Sequence, residues 1–171
     1  MKFLRLTVLL MSLCGLALFS SCGGGGGEDA PVEKTQLKLL SKTWKISKAT
    51  FGNTDGNQTT TYTGMTLTIS GTFNATAGTS YDYSVAGLPT GTGVKTPWPR
   101  ASSSATTIDN ASWRFSETEP ATVIFREDPD GDLSVTYFVT KDKLELSFYF
   151  MGAGYRTSAV EGQWKFEFTP Q

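Results

Sequence analysis

The chain lacks histidine altogether, which removes several common forms of catalysis. Its 171 residues include no histidine and only 2 cysteines. Without an imidazole the chain cannot build a serine–histidine triad, a cysteine–histidine pair or a histidine-ligated zinc site. The 15 basic and 16 acidic residues give a net charge of −1, with no basic stripe. Nucleic acid is therefore not expected as a partner, because binding it requires clustered cations.

The first 21 residues have the form of a secretion signal. Two basic residues precede a mostly apolar run over residues 6–19, which is too short to span a bilayer comfortably. The stretch "LALFSSC" then places two small serines directly before Cys22. This pattern resembles the lipobox of bacterial lipoproteins, which implies removal of residues 1–21 and lipid attachment at Cys22. Cys14 is the competing position, but the large Leu13 precedes it.

The resemblance to a lipobox also bounds the mature chain. Cleavage before Cys22 leaves 150 residues, enough for one domain, and no second cysteine for a disulfide. Residues 22–34 contain five consecutive glycines and are predicted to be a flexible tether, since a phosphate loop would need a preceding strand and a Gly-Lys-Ser/Thr ending. In known lipoproteins, aspartate after the cysteine often signals inner-membrane retention. Gly23 occupies that position, so we expect the outer membrane, at its periplasmic face or at the cell surface.

Residues 35–171 read as one all-β domain that follows a short helix. The stretch "TQLKLLSKTWKIS" changes from helical spacing to alternation, and "MTLTIS", "SYDYSV", "ATVIFRED", "DLSVTYFVT", "LELSFYF" and "GQWKFEFT" alternate as strands do. The turn "TKDK" predicts that Val139 pairs with Leu144 and Tyr137 with Leu146. We therefore predict an antiparallel up-and-down meander of about eight strands that closes as a barrel, which leaves no free edges. A β-sandwich is the alternative.

The opening "LLSKTWK" is similar to the start of lipocalin-like lipoproteins of Bacteroidetes, and the resemblance extends over about residues 37–169. Lys42 stands where the lipocalin Gly-x-Trp motif has glycine. The resemblance implies a lipocalin-like barrel in which Trp44 closes the narrow end beneath a short helix. Leu37, Leu40 and Trp44 are accordingly expected to form a structural plug.

Residues 86–112 form a connection long enough to be functional. Within it, Trp98 lies between two prolines, and Arg100 follows closely. This tryptophan could serve a lid or binding loop at the barrel mouth, stacking on a sugar ring or an apolar ligand. Alternatively, it folds back to cover the side of the barrel. Three aromatic residues of the strands are candidates to line a ligand cavity, or simply to fill the core: Tyr81, Tyr83 and Trp113.

Other motifs indicate turns rather than chemistry. The carboxylates of "DPDGD", residues 128–132, lack the spacing of an EF-hand and favour a hairpin turn. Likewise "MGAGYR", with Gly152 and Gly154, lacks the third glycine and the helix of a dinucleotide fingerprint. The acidic residues near strand ends do not identify a catalytic pair. We therefore predict no metal, no cofactor and no enzymatic activity.

These observations predict a non-enzymatic envelope lipoprotein that is anchored to the membrane through Cys22. It would bind a small apolar or glycan ligand inside the barrel or at its mouth, or present loops to a protein partner. The alternative is a structural or assembly subunit of an envelope complex with a filled barrel. A cluster of outward apolar side chains, namely Ile124, Phe138 and Tyr149, would favour that alternative.

Overall fold

The computed structural model describes residues 30–52, 56–91, 96–99, 102, 104–151 and 160–171. These residues form one helix and nine strands: α1 (Val32–Leu40), β1 (Thr43–Phe51), β2 (Gly56–Asn57), β3 (Thr66–Ser70), β4 (Ser80–Ala86), β5 (Ile108–Phe115), β6 (Val123–Asp128), β7 (Gly131–Val139), β8 (Leu144–Phe150) and β9 (Gly162–Pro170). Cys22, Arg100, Gly152 and Gly154 lie outside the described residues.

Eight strands form a closed antiparallel barrel. Strands β1 and β3 to β9 pair with their neighbours in chain order, and β9 pairs back onto β1 from Trp44–Pro170 to Phe51–Trp164. The two-residue strand β2 adds to the end of β1. Closure gives both sides of each barrel strand a hydrogen-bonding partner, so no long edge is left open. The predicted barrel with an N-terminal helix is confirmed, and the chain does not form the alternative sandwich.

The barrel core follows from strict alternation along the strands. In β8, Leu144, Leu146 and the two phenylalanines that follow at every second position are buried, whereas the residues between them face outward. The predicted pairs Val139–Leu144 and Tyr137–Leu146 are both present. Since side chains alternate between the two faces of a strand, this register places the apolar set of the β7–β8 hairpin inside the barrel.

The prediction that Ile124 faces outward is wrong. Ile124 is 6 % exposed and lies inside the barrel, opposite Val135 of β7. The neighbouring Phe125 faces outward instead, where the guanidinium carbon of Arg114 lies 4.6 Å from its ring centre. Strand β6 carries apolar residues at both alternating positions, Val123 and Phe125 as well as Ile124. Alternation of hydrophobicity therefore could not set its register, and pairing with the neighbouring strands does.

Helix α1 begins directly after Pro31 and ends where the Ser41 amide donates to the Leu37 carbonyl at 2.8 Å. Leu37 and Leu40 lie three residues apart on one face and are buried at 3 % and 0 % exposure. The last three residues of the predicted tether, 32–34, are part of this helix. Nowhere in the described part of the chain is a helix both long and apolar enough to span a bilayer.

The up-and-down topology gives the barrel two ends. The helix end carries α1 and the connections over residues 71–79, 116–122 and 140–143. The other end, which we call the mouth, carries the described connecting residues 58–65, 87–91, 96–99, 102, 104–107, 151, 160–161 and 129–130. The last of these is the predicted "DPDGD" hairpin turn, with Asp128 paired to Gly131 across it.

Candidate functional site

An arginine lies inside the barrel near the mouth. Arg126 is 3 % exposed and occupies an inward position of β6, two residues from Asp128 on the same face. Its Nε donates to Asp128 Oδ1 at 2.7 Å and its Nη2 donates to Asp128 Oδ2 at 2.6 Å. The two side chains are only 4 % and 5 % exposed. This bidentate geometry suits a guanidinium and a carboxylate, and it neutralises a charge that would otherwise be costly to bury.

A connecting segment inserts into the barrel above this ion pair. Thr96, Pro97 and Trp98 belong to no strand, yet all three are buried, with Trp98 at 2 % exposure. The Arg126 guanidinium carbon lies 5.1 Å from the centre of the Trp98 ring, and its Nη2 donates to the Pro97 carbonyl at 2.8 Å. The structure places the Trp98 side chain in the barrel interior, against inward-facing rings, and not over the side of the barrel.

The Trp98 ring meets other aromatic rings inside the barrel. Its centre lies 5.5 Å from that of Phe166, 6.3 Å from that of Tyr83 and 6.4 Å from that of Phe148. The contacts with the two phenylalanines are edge-to-face, at 65° and 84°. Such arrangements are favourable for aromatic pairs. The indole therefore packs at a steep angle against two phenylalanine rings that stack on each other at 6.0 Å, with a cation on its face.

A small cavity remains beneath Trp98. Its volume is about 30 Å³ and its wall is apolar. A space of this size has room for a water molecule or two, whereas ligand sites usually occupy about 300–1,000 Å³. No organic ligand fits the barrel while Trp98 lies inside. The aliphatic and phenyl part of the wall consists of Leu67, Ile69, Ile124, Val135, Leu146 and Phe148.

Three buried donors near the cavity have no acceptor among the described residues. They are Arg126 Nη1, Trp98 Nε1 and Trp113 Nε1, and each exposes less than 1 Å². A buried donor without a partner costs about 1–3 kcal/mol. The other two indoles have partners, since Trp44 Nε1 donates to Leu40 O and Trp164 Nε1 to Val160 O, both at 2.9 Å. The unpaired indoles therefore belong to the two tryptophans that border the cavity.

The predicted ligand-lining residues are only partly brought together. Tyr83, Trp98 and Trp113 all border the cavity. Tyr81 is buried on the same strand as Tyr83 but lies toward the helix end, where its hydroxyl accepts from the Asn74 amide at 3.5 Å. Its ring packs on Trp113 at 5.2 Å, so it supports the cavity wall without reaching the cavity.

The predicted plug residues meet at the helix end. Trp44 is fully buried, and its indole donates to the carbonyl of Leu40, which itself is 0 % exposed. Lys42, which replaces the motif glycine, places its Nζ 4.9 Å from the Trp44 ring centre, a favourable cation–π distance. On strand β7, burial and the nearby Glu33 carboxylate raise the pKa of the Tyr137 hydroxyl well above its usual range. These contacts join the helix to the barrel.

A second opening lies at the helix end. It is a groove of about 260 Å³ between the start of α1 and the connections that follow β3 and β5. Its wall includes Phe73, Phe115 and two carboxylates, Glu33 and Glu117. Of the buried polar atoms that lack a partner in the described residues, none lies in this wall. The mouth is therefore the better candidate site, because Arg126 Nη1 and Trp98 Nε1 are buried near it without an acceptor in the described residues.

Sequence reasoning missed Arg126 and its partner Asp128. A signal was present, because Ile124, Arg126 and Asp128 lie at every second position of β6 and therefore on one face. It could be used only with the register known, and an outward Ile124 corresponds to a register that differs from the observed one by one residue. In the described part of the chain, no group of three or more metal-ligating residues comes together. Comparison with family models, curated proteins and solved structures finds no match.

Proposed function

We propose that this protein is a non-enzymatic, lipid-anchored envelope lipoprotein that binds a small ligand at the mouth of its barrel. The observation that carries the proposal is the position of Trp98. A side chain from a connecting segment, rather than from a strand, lies inside the barrel and packs on Arg126. A ligand that enters the barrel would take the place of this side chain.

The free-energy terms that hold Trp98 in the barrel are compatible with its replacement by a ligand. Burying a tryptophan side chain of about 150–250 Å² contributes about 4–6 kcal/mol. Fixing the four backbone residues 96–99 costs about 1–2 kcal/mol each, so about 4–8 kcal/mol in all. These opposing amounts are similar. The unpaired indole donor adds to the cost, and the cation–π contact and the hydrogen bond from Arg126 to the Pro97 carbonyl offset it. A ligand of modest affinity is enough to shift such a balanced equilibrium.

The proposed cellular location rests on the residues that precede the barrel. The lipobox resemblance at Cys22 implies a lipid anchor, and two or more acyl chains hold a protein stably on a membrane. The proposed location is the outer membrane, at its periplasmic face or at the cell surface. An anchored binding protein would hold its ligand close to the bilayer from which an apolar compound could enter the mouth.

The alternative function is a structural or assembly subunit with a filled barrel, and the small cavity favours it. Its expected docking cluster is missing, however. Ile124 faces inward, while Phe138 and Tyr149 are 56 % and 53 % exposed. Phe138 lies opposite Glu145, four residues along β8 from Tyr149, which corresponds to about 13 Å. These two aromatic residues do not form a continuous apolar patch.

Native mass spectrometry of the full chain, purified from its own host, tests the ligand proposal. We expect a fraction carrying a small molecule. Leu146→Phe, which fills the cavity, should lose that fraction, while Phe138→Leu on the outer face of the paired strand should keep it. A clean unliganded mass for the wild-type chain would support the filled-barrel alternative instead.

A further inference from the structure

We propose that the outer face of helix α1 lies against the anionic bilayer that holds the lipid anchor, so that the mouth points away from the membrane. This inference rests on the anchor at Cys22 in the proposed function and adds a membrane-contact surface to it. Four exposed residues define the α1 outer face: Val32, Lys34, Thr35 and Lys38.

Helix α1 lies across the end of the barrel. Its start, at Pro31 and Glu33, borders the connections that follow β3 and β5. Just beyond its end, Lys42 Nζ donates to the Lys141 carbonyl in the connection before β8, at 3.2 Å. The helix therefore crosses the barrel end from one group of connections to another. The side of the helix that does not pack on the barrel faces away from the domain.

The positions around α1 separate an inner side from an outer side. The buried Leu37 and Leu40 mark the inner side. Lys34 and Lys38 are one turn apart, so they lie one above the other, and both are exposed. Val32 adds an apolar side chain that is 47 % exposed. Cations beside an exposed apolar side chain suit the interface of an anionic bilayer.

Two carboxylates beside α1 lie away from its outer face. Glu33 and Glu117 line the groove between the helix and the barrel connections. In the described part of the chain, neither Lys34 nor Lys38 forms an ion pair. The α1 outer face therefore keeps two positive charges that can meet lipid phosphates.

The anchor and the domain are joined at this same end. Pro31 follows Cys22 by nine residues, which span at most about 30 Å in any conformation. Strand β7 runs from the mouth to the helix end and, with 9 residues, is about 30 Å long. The anchor thus keeps α1 within reach of the bilayer and leaves the mouth about one strand length farther away. A ligand that leaves the bilayer would cross this distance through solvent before it enters the mouth.

Two lysines are enough because the anchor has already brought the surface to the bilayer. Each lysine near an anionic membrane favours contact about fivefold, so two favour it about thirtyfold. For a free protein this factor would give only weak binding. For a chain that is held at the membrane, it selects one orientation among those that the anchor permits.

Quenching of a fluorophore by lipid headgroups tests this contact on the processed, lipidated chain. Thr35→Cys places a thiol-reactive fluorophore on the α1 outer face, and Asp130→Cys places it on the hairpin turn at the mouth. The introduced thiol is the only free one, because lipid occupies Cys22 and residues 1–21 are removed. The labelled chains are reconstituted in phosphatidylcholine vesicles that contain a headgroup-nitroxide lipid, with or without phosphatidylglycerol.

We expect the label at position 35 to be quenched in the anionic vesicles and the label at position 130 to stay bright. The amplitudes of the quenched and unquenched fluorescence decays give the ratio of contacting to free orientations. Lys34→Gln combined with Lys38→Gln should lower this ratio about thirtyfold. Vesicles without phosphatidylglycerol should lower it similarly.

Lys45→Gln combined with Lys48→Gln is the matched control, because it removes the same charge from exposed positions on the side of the barrel and should leave the ratio nearly unchanged. Suppose instead that the chain floats with the vesicles but both labels are quenched equally, or that the substitutions at Lys34 and Lys38 have no effect. The anchor would then stand, the bilayer contact would be overturned, and a protein partner would become the candidate for the α1 outer face. A chain that does not float with the vesicles would overturn the anchor and this inference with it.

Discussion

The guanidinium of Arg126 lies 5.1 Å from the Trp98 ring centre while its Nη2 donates to the Pro97 carbonyl at 2.8 Å. One side chain of a barrel strand thus holds both the ring and the backbone of the segment that fills the mouth. Asp128 accepts from the same Nη2 and from Nε of this guanidinium. The filling of the barrel and the buried ion pair are therefore parts of one arrangement.

Removing Arg126 alone should be strongly destabilising. Arg126→Met removes the guanidinium that donates two hydrogen bonds to the buried Asp128 carboxylate, and we expect the free energy of unfolding to fall by about 3–5 kcal/mol. Arg126→Met combined with Asp128→Leu removes both charges and should recover at least half of that loss. Urea unfolding of the wild type, the single variant and the double variant measures these free energies. A double variant that is less stable than the single one would contradict the assignment of a buried, mutually neutralised pair.

The sequence was sufficient to predict the barrel fold, but not to predict which side chains fill the barrel. Alternation in β8 and the turn before it predicted the pairing of Tyr137 with Leu146. In β7 and β8 every second residue is apolar, and the residues between them are mostly polar. Strand β6 has no such contrast, so the inward positions of Ile124 and Arg126 could not be read. The position of Trp98 depends on contacts with distant strands, which local periodicity does not report.

The outer face of β8 and β9 should make stability depend on pH. Glu145 lies directly opposite Glu167, and Lys143 and Lys165 each contact both carboxylates. Hydrogen bonds from Lys143 and then from Lys165 lower the pKa of Glu145. This contribution is present above the unfolded glutamate pKa of about 4.3 and is lost as pH falls through the lower folded value.

Glu145→Gln should therefore be less stable than the wild type near pH 7, and the difference should close as the pH falls below about 4. It should also close at high pH, because the Glu145 hydrogen bonds raise the pKa values of Lys143 and Lys165, and that contribution is lost as pH rises through them. Thermal unfolding across pH measures this. Glu161→Gln, an exposed carboxylate outside the group, is the control. A difference that persists undiminished at pH 2 would exclude the carboxylate charge as its cause.

The proposed anchor makes a direct chemical prediction. In cells grown with labelled palmitate, the wild-type chain and Cys14→Ala should carry the label. Cys22→Ala should lack it and retain its signal peptide, because the modified cysteine of a lipoprotein is also the cleavage position. Label that survives in Cys22→Ala and disappears in Cys14→Ala would move the anchor to the earlier cysteine.

Hydrogen exchange of the indole Nε1–H groups, followed by NMR in increasing urea below the unfolding transition, tests the central claim most directly. If the segment that carries Trp98 can leave the barrel, the Trp98 Nε1–H exchanges with solvent through local opening. Its exchange rate should be at least about a hundredfold higher than that of Trp164 and almost independent of urea. Trp113 is the matched control, since its indole is equally buried and without an acceptor in the described residues but belongs to β5. Its exchange should require global unfolding. Equal rates and equal urea dependence for Trp98 and Trp113 would show that Trp98 is a fixed part of the core and contradict the account.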